Sequence, residues 1–527
     1  MQVVVAHYHL NPGGVTQVVL NQLRALGRLS VGDRPTRVGI VTGGRAVNWP
    51  AEPLGAEPPF EIVMMTVPRL DYDDASDAAA ARDHRAQTDL LLGDVTAVLT
   101  AHGFTPDATL LHVHNHALGK NAAWTEAVAV LAERGYRLLL QVHDFAEDCR
   151  PLNYRHLRAS LAAEGTHDLA VRMYPQSAGI HYATLTRRDA DVLTAAGVRP
   201  QRLHVLSNPV AEFTGLPKYD EVAAKVRGQL AIPAEARLVL YPVRGIRRKN
   251  VGELLLHAAI SPEDTWHAVT LAPKNPAELH SFQRWQTLAG ELRLRVLFDT
   301  CTLGDPAFLD ALAASERLIT TSVAEGFGMV FLEAWLAGKP LTGRSLPEIV
   351  SEFEQTGLRF DRLYDCLGVP LAWIDDRQRL ADALRASYVW VCQAYGVEPD
   401  AQQQRRAEQM ATGERSTIDF ALLPGEFQHQ IIRRAAAAPV AAREELAAQN
   451  PALRASGDEP TDADVIAANA DIVRSRYSLE TIGRRLHSAY QSLAAESHGL
   501  LEDLPHGELV LQRFLSVDRL HTIRFEE

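Results

Sequence analysis

The chain has 527 residues, 46% hydrophobic and 22% charged, which is too long for one ordinary core and too apolar for a mainly disordered or fibrous protein. Lys plus Arg number 53 against 65 Asp plus Glu, a net charge of −12. That balance excludes duplex nucleic acid binding through bulk charge but leaves room for a local basic pocket around a small phosphate ligand. Cys149, Cys301, Cys366 and Cys392 stand singly with no CxxC pair, so neither a disulfide framework nor a structural zinc site is expected. Met1 runs straight into Val3-Val4-Val5-Ala6 without a positive leader, and no stretch reaches the roughly 20 apolar residues of a membrane span. A cytoplasmic protein is the expectation.

In chain order, Gln2–Ala6 reads as a strand, Asn11-Pro12-Gly13-Gly14 as a glycine loop, and Val15, Val18, Val19, Leu23 and Leu26 as one face of a helix. Short buried strands are predicted at Arg37–Thr42, Glu61–Val67, Thr109–His114, Arg137–His143 and Tyr182–Thr186, with helices at Gln87–His102 and Asn121–Arg134. Alternation of this kind calls for a parallel sheet covered on both faces. The first series stops near Leu206–Val210, and a second opens at Arg237–Val243 and continues with strands at Ala268–Ala272, Val296–Asp299 and Leu318–Thr321. The linker therefore falls near residues 211–235. Val397–Pro460, rich in Ala, Gln, Glu and Arg, reads as a largely helical insertion with one turn at Pro424-Gly425, and Asp462–Leu493 as a long helical segment interrupted near Tyr477-Ser478.

Four groups of residues carry chemistry. The most specific is Thr320–Trp335, where a strand end, the loop Glu325-Gly326-Phe327-Gly328 and a helix starting near Gly328 follow one another. Glu333, about one and a half turns into that helix, is eight residues from Glu325, so the two carboxylates are not a close acid/base pair; they can grip two parts of one extended ligand, or, taken alone, equally serve as a first-turn dipole partner and a solvated helix residue. Free N–H groups at the helix start suit a phosphate. Arg244-Gly245-Ile246-Arg247-Arg248-Lys249 puts four cations in six residues just after a strand, the makings of a diphosphate clamp rather than of a solvated charge run. Gly13-Gly14 allows close backbone approach to a phosphate, although such a pair is common in tight turns. His143 stands at a strand's carboxyl end, where ligands bind.

On these residues the chain resembles the retaining nucleotide-sugar glycosyltransferases of family 4. Glu325 and Glu333 with Gly326-Phe327-Gly328 match that family's second-domain motif, Arg244 and Lys249 its cation pair, Gly13-Gly14-Val15 its first loop and His143 its histidine. Asn208-Pro209-Val210 is similar to the family's hinge, and Val473–Ser478 to its terminal segment. The likeness covers roughly residues 1–395 and 462–493, leaving 397–460 and 494–527 unassigned. It implies an α/β fold of the GT-B type: two Rossmann-like doubly wound domains facing a central cleft, with a helical C-terminal insertion and tail. The corresponding divisions are residues 1–215 on the acceptor side, 216–396 for the nucleotide sugar, 397–460 for the insertion, and 461–527 for helices packing back across the domains.

The implied activity is a hexosyltransferase that moves a sugar from a nucleoside-diphosphate sugar to an acceptor hydroxyl with the anomeric configuration kept, without a metal or other cofactor. Arg244 and Lys249 would neutralise the diphosphate as its bond to the sugar breaks. Glu325 would hold donor-sugar hydroxyls, Glu333 the ribose, and Gly13, Gly14, Gly326, Phe327 and Gly328 the rest of the donor, with His143 beside the sugar. Arg150, Arg155 and Arg158 follow His143 and suggest a small-molecule or glycan acceptor carrying a carboxylate or phosphate; a solvated helix face explains them equally well. The long insertion is expected to cover the cleft or to make a homo-oligomer contact.

Other enzymes and a non-enzyme compete. His112, His114 and His116 alternate and, with His143, Asp144, Glu147 and Asp148, could build a metal-dependent hydrolase, though this leaves Arg244–Lys249 and Glu325–Glu333 unexplained. An epimerase, a phosphorylase or a catalytically inactive GT-B binding subunit would keep the fold and change the reaction.

Overall fold

Runs such as Val3-Val4-Val5-Ala6, Leu110-Leu111 and Leu138-Leu139-Leu140 have no polar face to offer water. In the computed structural model, which describes residues 1–73, 84–301, 306–455 and 463–525, they are buried inner strands of a parallel sheet. The chain divides into two compact units. The first comprises Met1–Ala211, Ala394–Gly396 and Ser475–Leu515; the second comprises Glu212–Gln393, Val397–Arg474 and Ser516–Glu527.

The first unit is built on β1 (Gln2–Ala6), β2 (Arg37–Thr42), β3 (Glu61–Thr66), β4 (Thr109–His114), β5 (Arg137–Val142), β6 (Ile180–Thr184) and β7 (Leu203–Val205). They lie in the order β3-β2-β1-β4-β5-β6-β7, all parallel. The order reverses between β1 and β4, so the loops leaving their carboxyl ends flank a topological switch point, where doubly wound sheets bind ligands. The helix Leu479–Ala494 closes this unit's core. Leu486, Ala489, Tyr490 and Leu493 pack with Val3, Val5, Val19, Leu23 and Leu139. Burial of Leu486 and Leu493 contributes about 1.5–3 kcal/mol each. The approach is close enough that a Cβ on Gly483 would lie 2.7 Å from Ala25 O.

The second unit carries β8 (Arg237–Arg244), β9 (Thr265–Leu271), β10 (Val296–Leu297), β11 (Arg317–Thr320), β12 (Leu341–Arg344) and β13 (Leu363–Tyr364). Their order is β10-β9-β8-β11-β12-β13, again all parallel, with the reversal between β8 and β11. β10 is shorter than its sequence suggests because Asp299 takes a positive φ of 57°. β7, β12 and β13 have no apolar run to announce them.

Between 397 and 455 the chain is mostly helical, with helices Ala401–Thr412, Gly425–Ala437, Pro439–Gln449 and Pro451–Ala455. One turn does not account for its course: β15 (Thr417–Asp419) interrupts the helices and pairs antiparallel with β14 (Gly368–Pro370). A buried guanidinium anchors this segment to the sheet. Arg344, at the end of β12, donates to Asp419 Oδ1 and Oδ2 at 2.7 and 2.9 Å and to Glu253 at 2.7–3.1 Å. The break at Tyr477-Ser478 separates the helices Ala463–Arg476 and Leu479–Ala494, and Ser478 caps the second through Thr481 N. The expected boundaries at Pro460, residue 461 and Asp462, and the chain end at Glu527, lie outside the described residues. No helix among the described residues is long and apolar enough to cross a membrane.

Candidate active site

In the second unit the motif residues run from the end of β8 into its loop, and from the loop after β11 into the helix that follows. Pro242 cannot donate to the ladder, and the register shifts between Tyr241 and Arg244, a bulge that re-aims the side chains after it. Arg244 Nη1 then donates to Ala272 O at 2.7 Å. A short 3-10 turn, Arg247–Lys249, follows and ends on Asn250, whose φ of 46° is left-handed backbone that Asn tolerates better than most residues.

The two loops brace each other. Val323 N donates to Arg248 O at 2.9 Å, Thr321 Oγ1 to Lys249 O at 2.9 Å and to Asn250 O at 3.1 Å, and Tyr241 OH to Lys249 O at 3.0 Å. Lys249 Nζ bonds Glu325 Oε1, and Arg248 Nη2 stands 4.0 Å from Glu325 Oε2. Arg247 is held by Glu278, whose carboxylate also accepts from its backbone N–H. Among the described residues, Arg247 thus pairs with Glu278, and Arg248 and Lys249 with Glu325. Among the described residues Arg244 has no carboxylate partner, and the buried Arg248 Nε has no hydrogen-bond partner. An unmatched buried donor in a cationic loop is costly unless an anion completes it.

Burial lowers the pKa of Lys249, against the opposing pull of Glu325. Burial alone would raise that of Glu325, but Lys249 and Arg248 outweigh it and hold the carboxyl below its usual range. Glu333 behaves differently. No hydrogen bond or ion pair reaches its carboxyl among the described residues, and burial pushes its pKa up to about 7.

The helix after the loop runs Val330–Leu336, so it starts two residues later than expected and Glu333 falls in its first turn. The delay is set by Gly328, whose φ of 82° a side chain would strain and whose added Cβ would meet the Phe331 ring at 2.6 Å. The N–H groups of Phe331, Leu332 and Glu333 are already satisfied by Gly328 O and Met329 O. A ligand can therefore call only on N–H groups ahead of them, from Gly326 on. Phe327 is a core residue, its ring edge-on to Phe353 at 5.5 Å, so its contribution at the surface is limited to backbone.

In the first unit, Gly13 precedes the helix Gly14–Gly27 in extended backbone, and a Cβ on Gly14 would meet nothing within 4 Å. The chain itself does not demand glycine there. His143 follows β5; its backbone N–H donates to Asn115 Oδ1 at 2.7 Å, and its Nε2 lies 2.8 Å from His114 Nδ1. Burial lowers the His143 pKa to about 3. Arg150 is committed to Asp144 at 2.7 Å and to the carbonyls of Phe145 and Asp148. Arg155 is exposed, while Arg158 donates to Gly396 O at 3.3 Å.

The three alternating histidines do not converge together: His112 and His114 adjoin, and His116 turns away. β4 ends at His114, Asn115 turns through a positive φ of 57°, and His116 Nε2 goes to Met173 O at 2.8 Å. His112 is engaged by Tyr490 OH and Gln141 Oε1 at 2.8 and 2.9 Å, and Glu147 accepts from Tyr174 OH. Among the described residues no three His, Cys, Asp or Glu side chains gather as metal ligands would. The signals that sequence reading missed are Asn115, whose side chain carries the His143 backbone, and the Glu253–Arg344–Asp419 anchor.

No protein-family model matches the chain. A curated relative, mannosylglucosyl-3-phosphoglycerate synthase from Petrotoga mobilis, is 25% identical over 337 residues, which are 62% of this chain and 63% of the relative. The match thus spans less than two thirds of that protein. Among solved structures, Anabaena HepE in complex with UDP and glucose superposes with a TM-score of 0.50 at 15% identity, over 93% of this chain and 100% of that one. Sucrose-phosphate synthase from Thermosynechococcus elongatus gives 0.50 at 15% identity, over 93% and 98%. The N-terminal domain of Candida albicans trehalose-6-phosphate phosphatase gives 0.51 at 10%, over 93% and 97%. With the two parallel sheets, these likenesses show the fold: an α/β chain of two Rossmann-like units, of the GT-B type.

Proposed function

We propose that the chain transfers a sugar from a nucleoside-diphosphate sugar to an acceptor hydroxyl and keeps the anomeric configuration. The observation that carries this reading is the cationic loop Arg244–Lys249 braced against the Glu325 loop at the switch point of the second sheet, with Arg244 free of any carboxylate among the described residues. Charge develops on the diphosphate as its bond to the sugar breaks, so cations fixed there in advance lower the barrier. Arg244 and Lys249 take that role. Glu325, held ionised beside Lys249, accepts hydrogen bonds from sugar hydroxyls, and Glu333 accepts from the ribose. Gly13, Gly14 and the Gly326–Gly328 stretch offer backbone N–H groups to the donor, and His143 hydrogen-bonds the sugar. No metal is assigned a part.

For the acceptor, the cationic residues after His143 and the phosphoglycerate in the curated relative's name support a small molecule bearing phosphate or carboxylate. Arg155 and Arg158 are the cations that would meet it, with Arg150 holding the loop in shape.

The test is proton NMR of the purified chain with nucleoside-diphosphate sugars and phosphorylated or carboxylated acceptors. The expected product carries the same anomeric coupling pattern as the donor. An inverted product, or donor consumption only when a divalent metal is added, would overturn the reading. Unchanged acceptor affinity after Arg155→Gln and Arg158→Gln would remove the anionic-acceptor part alone.

A further inference from the structure

His114 and His143 share one hydrogen bond, 2.8 Å between His114 Nδ1 and His143 Nε2, so one nitrogen carries the proton and the other the lone pair. The remaining nitrogen of His114, Nε2, is buried and has no hydrogen-bond partner. If His114 accepted from His143, its own proton would sit on that Nε2 as an orphaned buried donor. If His114 donates, Nε2 holds only an unused lone pair. Orphaned buried N–H groups are the rarer and more costly case. The imidazoles around the bond are all kept neutral by burial. His7 and His112 fall to about 4, His143 to about 3, and His114 well below its usual range.

From this arrangement we infer that His114 is a positioning residue that fixes His143 as its Nδ1–H tautomer, making His143 a hydrogen-bond donor to its ligand and not a proton acceptor. Nε2 of His143 is occupied by His114, and Nδ1 carries the proton. Neither nitrogen is left to act as a base. The backbone of His143 is fixed independently, because Asn115 Oδ1 accepts from the N–H groups of both His143 and Asp144 at 2.7 and 3.2 Å. His114 ends β4 and Asn115 follows it, so one strand end sets both the ring state and the main-chain position of His143, just past the neighbouring β5. The oxygen that His143 addresses rests on the proposed sugar transfer; the tautomer itself does not.

The experiment is a long-range 1H–15N correlation on the full chain labelled at histidine nitrogen, near pH 7.5, with the His143 signals assigned by their loss in His143→Gln. The expected spectrum shows Nδ1 as the protonated, pyrrole-type nitrogen and Nε2 as the acceptor. His114→Leu should abolish that state. His114→Asn, whose amide N–H can still donate, should keep it. Under sugar transfer, kcat/KM falls roughly tenfold to a hundredfold in His114→Leu and is largely recovered in His114→Asn. A wild-type spectrum with Nε2 protonated, or an unaltered tautomer in a folded His114→Leu, overturns the inference. If His114→Leu fails to fold, the wild-type spectrum decides alone. The predicted tautomer with no transfer from any donor would sink the proposed reaction and leave the His114 assignment standing.

Discussion

Lys249 and Glu325 form a largely buried ion pair that ties the loop after β8 to the loop after β11. The pair offsets two charges that would be costly to bury singly, and it shares the Glu325 carboxylate with Arg248. Removing one member leaves the other stranded. Lys249→Met and Glu325→Gln should each lower stability by about 3–5 kcal/mol, and the double variant should lose at least about 1 kcal/mol less than the two together. Urea unfolding of the four proteins checks this. Strict additivity would mean that the pair contributes nothing to the fold.

Glu333 gives a pH dependence with a definite sign. Its carboxyl titrates near 7 in the folded chain, against an ordinary value of 4.5, because burial disfavours the charge. The folded state therefore binds the extra proton between those values, and the contribution is fully present below about 4.5 and lost as pH rises through about 7. Glu333→Gln should be neutral near pH 4 and stabilising by about 1–2 kcal/mol at pH 8, allowing for partial solvent contact of the carboxyl. Melting curves at the two pH values should separate variant from wild type only at the higher one.

Gly14 separates what the fold needs from what a ligand needs. Nothing in the chain lies where its Cβ would go. Gly14→Ala at the first helical position should leave stability unchanged or raise it by about 0.5–1 kcal/mol. If the backbone there meets a donor phosphate, the same methyl should raise the donor KM severalfold. Unchanged KM would remove Gly14 from the donor set.

Arg344 holds the 397–455 segment through Asp419 and Glu253; Arg344 and Glu253 are buried and Asp419 is largely so. Arg344→Met strands two carboxylates and should cost about 3–5 kcal/mol. Proteolysis should then cut first around Thr417–Asp419, since β15 would lose its anchor. Protection equal to wild type would show that apolar packing of the helix Gly425–Ala437 suffices.

Much of this molecule is legible because the physics is local. β1, β4, β5 and β8 announce themselves as apolar runs, and Arg244–Lys249 and Glu325–Glu333 as short segments whose spacing carries their chemistry. β7 and β12 do not, since Leu203-His204-Val205 and Leu341-Thr342-Gly343-Arg344 become strands only by pairing with neighbours already in place. The Arg344 anchor joins residues 91 and 75 positions away, each of which alone looks like a solvated charge. The histidines show the limit most clearly. Alternation does bring the His112 and His114 rings to 4.3 Å, but Tyr490 and Gln141 take both His112 nitrogens, His143 takes one of His114, and no third ligand gathers among the described residues.

The central claim, that Arg244 and its loop bind the diphosphate of a nucleotide sugar, is tested most directly by thermal shift with UDP, GDP, ADP, TDP and their sugar conjugates, with and without EDTA. At about a hundred times its dissociation constant the right ligand should add roughly 2.7 kcal/mol to stability. The account predicts a shift selective for one nucleoside diphosphate, indifferent to EDTA and lost in Arg244→Ala. No shift with any nucleotide, or a shift that survives Arg244→Ala, would contradict it.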